Sequence, residues 1–316
     1  MSEQVRELPA PRTTVARLVG VLTSPGETFQ EISGRPSWMA PFFIYLVALA
    51  IGLGTYATKA DWIAITTEQI ESSPFMQLVP DAQRDEIVHK QTEGVRKLGS
   101  AHLGTAYVCN VAIGTPAFIF FLTLIYASLF SMVGALKDLK LGRAWGRFLL
   151  TLLMVVGYVI ATIIANTAFS DSPSSSLLLI GAAAILVSIG CIWMLNGVAS
   201  RDIEFHRMLS VCCYASAVLI IGVLALVVVS LVHEGSIGIG AEKLVPSSLG
   251  AMLKPENAVV RALFNSLDIF TIWWLIVLTI GFRAVTRLTM GMAASMTFLP
   301  WGLIVMIKIA WAAVFG

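Results

Sequence analysis

The sequence is poor in charged residues. Asp, Glu, Lys and Arg make up only 13% of the 316 residues, whereas a soluble domain has about 25%. Apolar residues make up 57%, and the mean hydropathy is +0.83. The net charge of +2 shows no bias towards nucleic acid. The composition therefore excludes an ordinary soluble protein and predicts an integral membrane protein, with the lipid bilayer as a partner and no nucleic acid.

The sequence also lacks recognisable motifs for chemistry. Its four cysteines lie in apolar runs without a CxxC spacing, so neither a disulfide framework nor a zinc site is indicated. The four histidines form no HExxH motif, and there is no GxSxG elbow and no P-loop. We therefore predict no catalytic, cofactor-binding or metal-binding residues, and we expect that the chain is not an enzyme. The cysteines are Cys109, Cys191, Cys212 and Cys213.

The N-terminal residues contain no apolar run before Trp38 that could serve as the core of a cleaved signal peptide. We therefore expect the first span to be an uncleaved anchor. Val15, Leu18, Val19 and Leu22 recur at helical spacing, which predicts a short amphipathic helix lying on the membrane surface.

A second short helix is predicted directly after it. Ser24 as N-cap, Pro25 at the first helical position and Glu27 at the third are typical of a capping box. The helix is expected to end just before Pro36, and Trp38 opens the first span. We interpret residues 1–37 as a cytoplasmic amphipathic segment made of interfacial helices, with a docking site for a partner as the alternative.

Apolar runs long enough to cross a bilayer, about 20 residues each, occur seven times. The sequence thus predicts an all-α polytopic transmembrane bundle. The second run is longer than a bilayer requires and contains Pro116, which predicts a kinked or tilted helix. The predicted spans are 38–58, 104–134, 148–168, 177–197, 209–232, 264–284 and 292–315.

The distribution of Lys and Arg predicts the orientation. Arginines and lysines cluster in the N-terminal segment and in the loops after the second, fourth and sixth spans, which places these on the cytoplasmic side. The N-terminus is then cytoplasmic, and with seven spans the C-terminus is external. Two external segments follow: 59–103, predicted as two helices broken at Ser73–Pro74 and Pro80–Asp81, and 235–260, predicted as an irregular loop with a helix restarting after Pro255.

Two ionisable residues lie within apolar runs, Asp268 and Lys308. Counting about 1.5 Å per residue from the turn between the last two spans places them at about 24 Å and about 27 Å, which is nearly the same depth. We predict an ion pair between them, with a structural role or, alternatively, a functional proton or ion site. Near the outer interface each side chain could instead reach water separately.

Two regions resemble the Yip family of Ypt/Rab-interacting membrane proteins, in its bacterial branch. The first is SPGETFQEISGRPSWMAPFFIYL, and the second runs from LGAMLKPENAVVRALFNSLDIFTIWW to the last span. The resemblance implies a transmembrane Yip-like domain over 38–316 in a bacterial inner membrane. Family members usually have about five spans, and we expect the additional hairpin within 135–200.

The resemblance also implies what the protein does. Eukaryotic members of the family are non-enzymatic scaffolds that engage small GTPases, and some bacterial members look like accessory subunits of ABC-type exporters. We therefore expect a membrane scaffold or accessory subunit that binds a membrane-protein partner, such as an ABC-type exporter, or forms a homo-oligomer. The alternative is a small-molecule or lipid transporter with a pathway near Asp268, Lys308 and the kink at Pro116.

Overall fold

The computed structural model describes residues 12–71, 76, 79–136, 138–168 and 173–315, and in these residues the fold is helical without strands. Two isolated β-bridges, Ala60–Ile237 and Ser248–Asp268, join loops. In chain order the helices are α1 (Thr14–Thr23), α2 (Pro25–Gly34), α3 (Met39–Lys59), α4 (Trp62–Glu71), α5 (Asp81–Leu98), α6 (Ser100–Met132), α7 (Leu141–Ala168), α8 (Pro173–Ala199), α9 (Ile203–Ala215), α10 (Ala217–Val232), α11 (Ala241–Leu244), α12 (Leu249–Leu253), α13 (Ala258–Ser266), α14 (Ile269–Thr286) and α15 (Met290–Phe315).

Among the residues that the structure describes, seven helical segments are long and apolar enough to cross a membrane, which confirms the predicted all-α bundle. They are α3, α6, α7, α8, the combined α9–α10, α14 and α15. The starts of the third, fifth and sixth spans differ from the prediction by five or more residues, and the fifth span begins at Ile203. The third span begins at Leu141, because the helix continues through the polar residues that precede its apolar run. The sixth begins at Ile269, because Asp268 is the N-cap residue that precedes this helix.

The fifth span is divided into α9 and α10 at Ser216. The Ser216 hydroxyl donates a hydrogen bond to the carbonyl of Cys212 at 3.1 Å. Such back-bonding is a common cause of helix bending. Together the two helices cover residues 203–232, so that the first part of α9 extends beyond the length a bilayer requires.

The core lies around α6 and α9, which share contacts with most of the other spans. On one side of α9, Tyr126 packs against Phe282 with ring centroids 4.8 Å apart. On the other side, Phe120 packs against Phe148 and Phe205 at 5.7 Å and 5.8 Å. By contrast, α7, α8 and α15 expose many large apolar side chains, as expected for helices that face lipid.

The two predicted external segments pack against each other. Segment 59–103 forms α4 and α5 as predicted, with α5 starting at Asp81 after Pro80; the predicted break at Ser73–Pro74 lies outside the described residues. The amide of Asp61 donates to the carbonyl of Ile237 at 2.8 Å, and Lys243 pairs with Glu68 at 2.7 Å. Segment 235–260 contains the short helices α11 and α12, and α13 begins at Ala258, shortly after Pro255.

Candidate functional site

The N-terminal helices α1 and α2 form a hairpin that packs into one end of the bundle. Pro25 is the first residue of α2, and α2 ends at Gly34, before Pro36, as the sequence predicts. The capping box is not formed: the Ser24 side chain makes no cap hydrogen bond, and the Glu27 side chain is 79% exposed. Instead, the Ser24 carbonyl accepts hydrogen bonds from the amide and hydroxyl of Thr28. Trp38 is the N-cap residue of α3 and is buried.

Arg17 fixes this hairpin in place. Its side chain is only 7% exposed, and its guanidinium donates from Nε and Nη2 to Oε1 of Glu31 at 3.1 Å and 3.0 Å. Nη1 donates to the Ser37 hydroxyl at 3.1 Å, and that hydroxyl lies 3.1 Å from the hydroxyl of Tyr214 in α9. The network thereby joins α1, α2, the entry to the first span and the fifth span.

The guanidinium of Arg17 stays charged in this position. Burial lowers the pKa of Arg17, but the interactions of the guanidinium with Tyr214 and Glu31 raise it by more. The pKa therefore lies above its ordinary value. A buried cation of this kind needs partners that replace water. The short distances to Glu31 and Ser37 provide them.

The apolar stripe of α1 differs from the prediction. Leu18 and Val21 face the bundle together with Arg17, whereas Val15 and Val19 are exposed. A helix lying on the membrane surface would turn its charged residue outward. Because Glu31 neutralises Arg17, the charged residue can lie on the inner face of α1, which docks on the bundle. The position of its outer face at the membrane surface stays a prediction.

Helix α2 packs closely against the fifth and sixth spans. Phe29 and Ile32 are fully buried in the same core cluster as Val211 and Phe282. Gly281 in α14 permits the close approach: a Cβ atom there would lie 2.5 Å from a methyl group of Val211 and 3.2 Å from the Phe29 ring. The sequence analysis missed this docking. The one available signal was an arginine within an otherwise apolar helix, followed by Glu31 on the next helix.

Asp268 lies at the start of the sixth span and caps it. Its Oδ1 accepts hydrogen bonds from the amide and the hydroxyl of Thr271 at 2.8 Å and 3.1 Å. Its Oδ2 accepts a hydrogen bond from the Ser247 hydroxyl, which ties the 247–249 loop to the helix. Lys308 is exposed on α15, and the ion pairs formed by the described residues do not include Asp268–Lys308. The predicted depth took α14 to continue past Asp268, but the helix begins after it.

Pro116 lies inside α6, where the helix continues through it. Thr115 donates its hydroxyl hydrogen to the carbonyl of Val111 at 2.7 Å, one turn before the proline. Next to it is an apolar cavity of about 200 Å³ between the first, second, fifth and sixth spans, lined among others by Tyr45, Thr115 and Trp274. Neither Asp268 nor Lys308 lines any of the principal cavities formed by the described residues.

The cysteines and the possible metal-binding groups can be described briefly. The four cysteines are free, three of them buried and Cys109 partly buried. Within the described part of the chain, no group of three or more His, Cys, Asp or Glu side chains is arranged to hold a metal ion.

The seven apolar helices define a multi-pass membrane protein. A family model described as the Yip1 domain matches residues 136–312, which is more than half of the chain. The chain belongs to the Yip1 domain family. No curated protein and no solved structure matches it.

The matched region covers the later part of the bundle. Residues 136–312 contain the last five spans, so the first two spans and the N-terminal hairpin precede the match. The additional hairpin expected within 135–200 would correspond to α7 and α8, which lie inside the matched region, and its placement stays a prediction. The resemblance at the end of the chain falls within it, whereas SPGETFQEISGRPSWMAPFFIYL lies outside it.

Proposed function

We propose that the protein is a non-enzymatic membrane scaffold or accessory subunit of a membrane transport or trafficking complex, located in a bacterial plasma membrane. Its partner is a membrane protein, such as an ABC-type exporter, or a second copy of this chain. The observation that carries the proposal is the docked N-terminal hairpin, which adds an ordered surface to one end of the seven-span bundle.

The hairpin suits partner binding because it is held rigid while part of its outer face is apolar. Arg17 and Phe29 fix its inner face to the bundle, whereas Val15 and Val19 remain exposed. Preformed surfaces bind with less loss of conformational entropy than flexible ones. Exposed apolar side chains on such a surface are typical contact points for a partner.

The experiment is affinity purification of the tagged full-length protein from its native membrane in mild detergent, followed by mass spectrometry. The double variant Val15→Ser/Val19→Ser is expected to lose a stoichiometric partner that the wild type retains. The matched control is Met132→Ser/Ile203→Ser, which removes exposed apolar side chains near the same end of the bundle but outside the hairpin. Equal recovery of partners by both variants, or a wild type without partners, would contradict the proposal.

The alternative function is a small-molecule or lipid transporter with a pathway near Asp268 and Lys308. The apolar cavity beside Pro116 favours transport, although neither charged residue lines it. Its apolar lining suits a lipid chain, so the assay is transfer of fluorescent phospholipid between the leaflets of proteoliposomes, detected by dithionite quenching. Transfer that Gly114→Leu blocks would support transport; no acceleration over empty vesicles would exclude lipid transfer.

A further inference from the structure

A cleft of about 690 Å³ lies between α2, the first part of α9 and the end of α14. Three arginines line it: Arg207, Arg283 and Arg287. Gln30 and Ser33 add polar groups from α2, and Ile280 adds an apolar side chain from within the sixth span. The described residues that line this arginine cleft include no Asp and no Glu.

The three guanidinium groups have no acidic partner among the described residues, in contrast to Arg17 with Glu31. The Nε atom of Arg207 is buried and has no hydrogen-bond partner. Buried donors in proteins are nearly always hydrogen-bonded. The arginine cleft therefore combines clustered positive charge with a hydrogen-bond donor, Nε of Arg207, that has no partner. This combination is suited to binding an anion.

Helix-end electrostatics do not account for the whole cluster. Arg283 and Arg287 lie at the C-terminus of α14, where the helix dipole favours cations. Arg207 instead lies in the second turn of α9, where the dipole offers no such benefit. Arg287 also adopts φ 58°, a left-handed conformation that normally selects glycine. An arginine at this C-cap position is less favourable for the backbone than a glycine would be.

We propose that the arginine cleft binds a phosphate group, and that the phosphate belongs to an anionic phospholipid. Arginine forks match the oxygen geometry of phosphate and bind it through paired hydrogen bonds. The cleft lies at the ends of the fifth and sixth spans, on the side that the positive-inside rule assigns to the cytoplasm. The leaflet on that side is rich in anionic lipid, and Ile280 provides apolar contact towards the membrane interior.

The test uses the full-length protein in bilayer nanodiscs of phosphatidylcholine alone or of equal parts phosphatidylcholine and phosphatidylglycerol. Lipid that stays bound after transfer to detergent is measured by native mass spectrometry. Arg207→Gln/Arg283→Gln is expected to weaken retention of phosphatidylglycerol by about fivefold per arginine. The matched control, Arg143→Gln/Arg201→Gln, removes two exposed arginines from the same side of the bundle outside the cleft and is expected to retain the lipid as the wild type does.

A second variant distinguishes a loss of lipid binding from a loss caused by misfolding. Arg287→Gly places glycine in the left-handed conformation, so it is expected to raise the unfolding temperature while lowering phosphatidylglycerol retention about fivefold. A purely structural arginine would not give these opposite effects.

The source of the phosphate is resolved by titrating inorganic phosphate and glycerol phosphate in a thermal-shift assay. Stabilisation of the wild type by these soluble anions, lost in Arg207→Gln/Arg283→Gln, would support the phosphate site and assign it a soluble ligand. Phosphatidylglycerol retention without that stabilisation would support the lipid. Equal retention of phosphatidylglycerol by the wild type and both cleft variants, with no response to phosphate, would overturn the proposal.

Discussion

Arg17 depends on Glu31 for neutralisation of a charge that lies almost out of contact with water. Glu31→Gln would leave the guanidinium buried beside a neutral amide, and a hydrogen bond to a charged group contributes about 2 kcal/mol. We expect a clear fall in the unfolding temperature of the purified protein, measured by intrinsic fluorescence. The hairpin should also become more sensitive to proteolysis, since its inner face would lose its main polar contact.

Glu27→Gln is the control for this prediction. Glu27 is 79% exposed and lies 3.9 Å from Arg12, so its removal should change stability by less than about 0.5 kcal/mol. If both glutamine variants unfold alike, the buried pair does not hold the hairpin in place.

Asp268 offers a second prediction at the scale of a residue. Loss of an N-cap carboxylate costs about 1 kcal/mol, and asparagine caps nearly as well. We therefore expect Asp268→Ala to lower the unfolding temperature more than Asp268→Asn does. Lys308→Leu should have little effect, because its exposed side chain is not an ion-pair partner of Asp268 in the structure.

The double variant Asp268→Ala/Lys308→Leu separates the capping role from the ion pair that the sequence predicted. Additive effects would fit a cap that is independent of Lys308. A coupling energy of about 1 kcal/mol or more between the two sites would instead restore the ion pair.

At the scale of helices, the packing of α2 against the fifth and sixth spans depends on the absence of a side chain at Gly281. Gly281→Ala would gain up to about 1 kcal/mol in helix propensity. Its Cβ atom, however, would lie 2.5 Å from a methyl group of Val211, a stiff β-branched residue. Overpacking of this kind costs about 1–3 kcal/mol. We therefore expect net destabilisation and a less protected hairpin in hydrogen exchange.

Gly291→Ala provides the comparison. Gly291 lies in the first turn of α15, and no heavy atom beyond its own helix lies within 4 Å of the added methyl group. The substitution should leave stability unchanged or raise it slightly. A stabilised Gly281→Ala variant would mean that the hairpin does not pack closely on α14.

The helices also show which features a sequence can predict. An apolar run of bilayer length specifies its own helix, so the seven spans could be predicted from local residues alone. The start of α2 could be predicted in the same way from Pro25, which favours the first position of a helix. The burial of Arg17 could not, because it depends on Glu31 and Tyr214, which only tertiary contacts bring together. The role of Asp268 was misjudged for a related reason: whether a polar residue lies inside a helix or caps it depends on where the chain turns.

At the scale of the whole molecule, the side of the membrane on which the hairpin and the arginine cleft lie decides whether either can act as proposed. The excess of Lys and Arg around them predicts a cytoplasmic position, and the segments at 59–103 and 235–260 are then external. Single cysteines can test this, because three of the four native cysteines are buried and the fourth is partly buried. The wild type therefore serves as a weakly labelled background.

We expect Glu27→Cys, on α2, to resist a membrane-impermeant maleimide in intact cells and to react after permeabilisation. Glu234→Cys, an exposed position after the fifth span, should react in intact cells. Both substitutions replace exposed side chains, so neither should disturb the fold. The reverse pattern would place the hairpin and its arginine cleft outside the cell, away from any cytoplasmic partner and from the leaflet richest in anionic lipid. Because an odd number of spans puts the two ends of the chain on opposite sides, a cysteine added after the last span should follow Glu234→Cys and not Glu27→Cys.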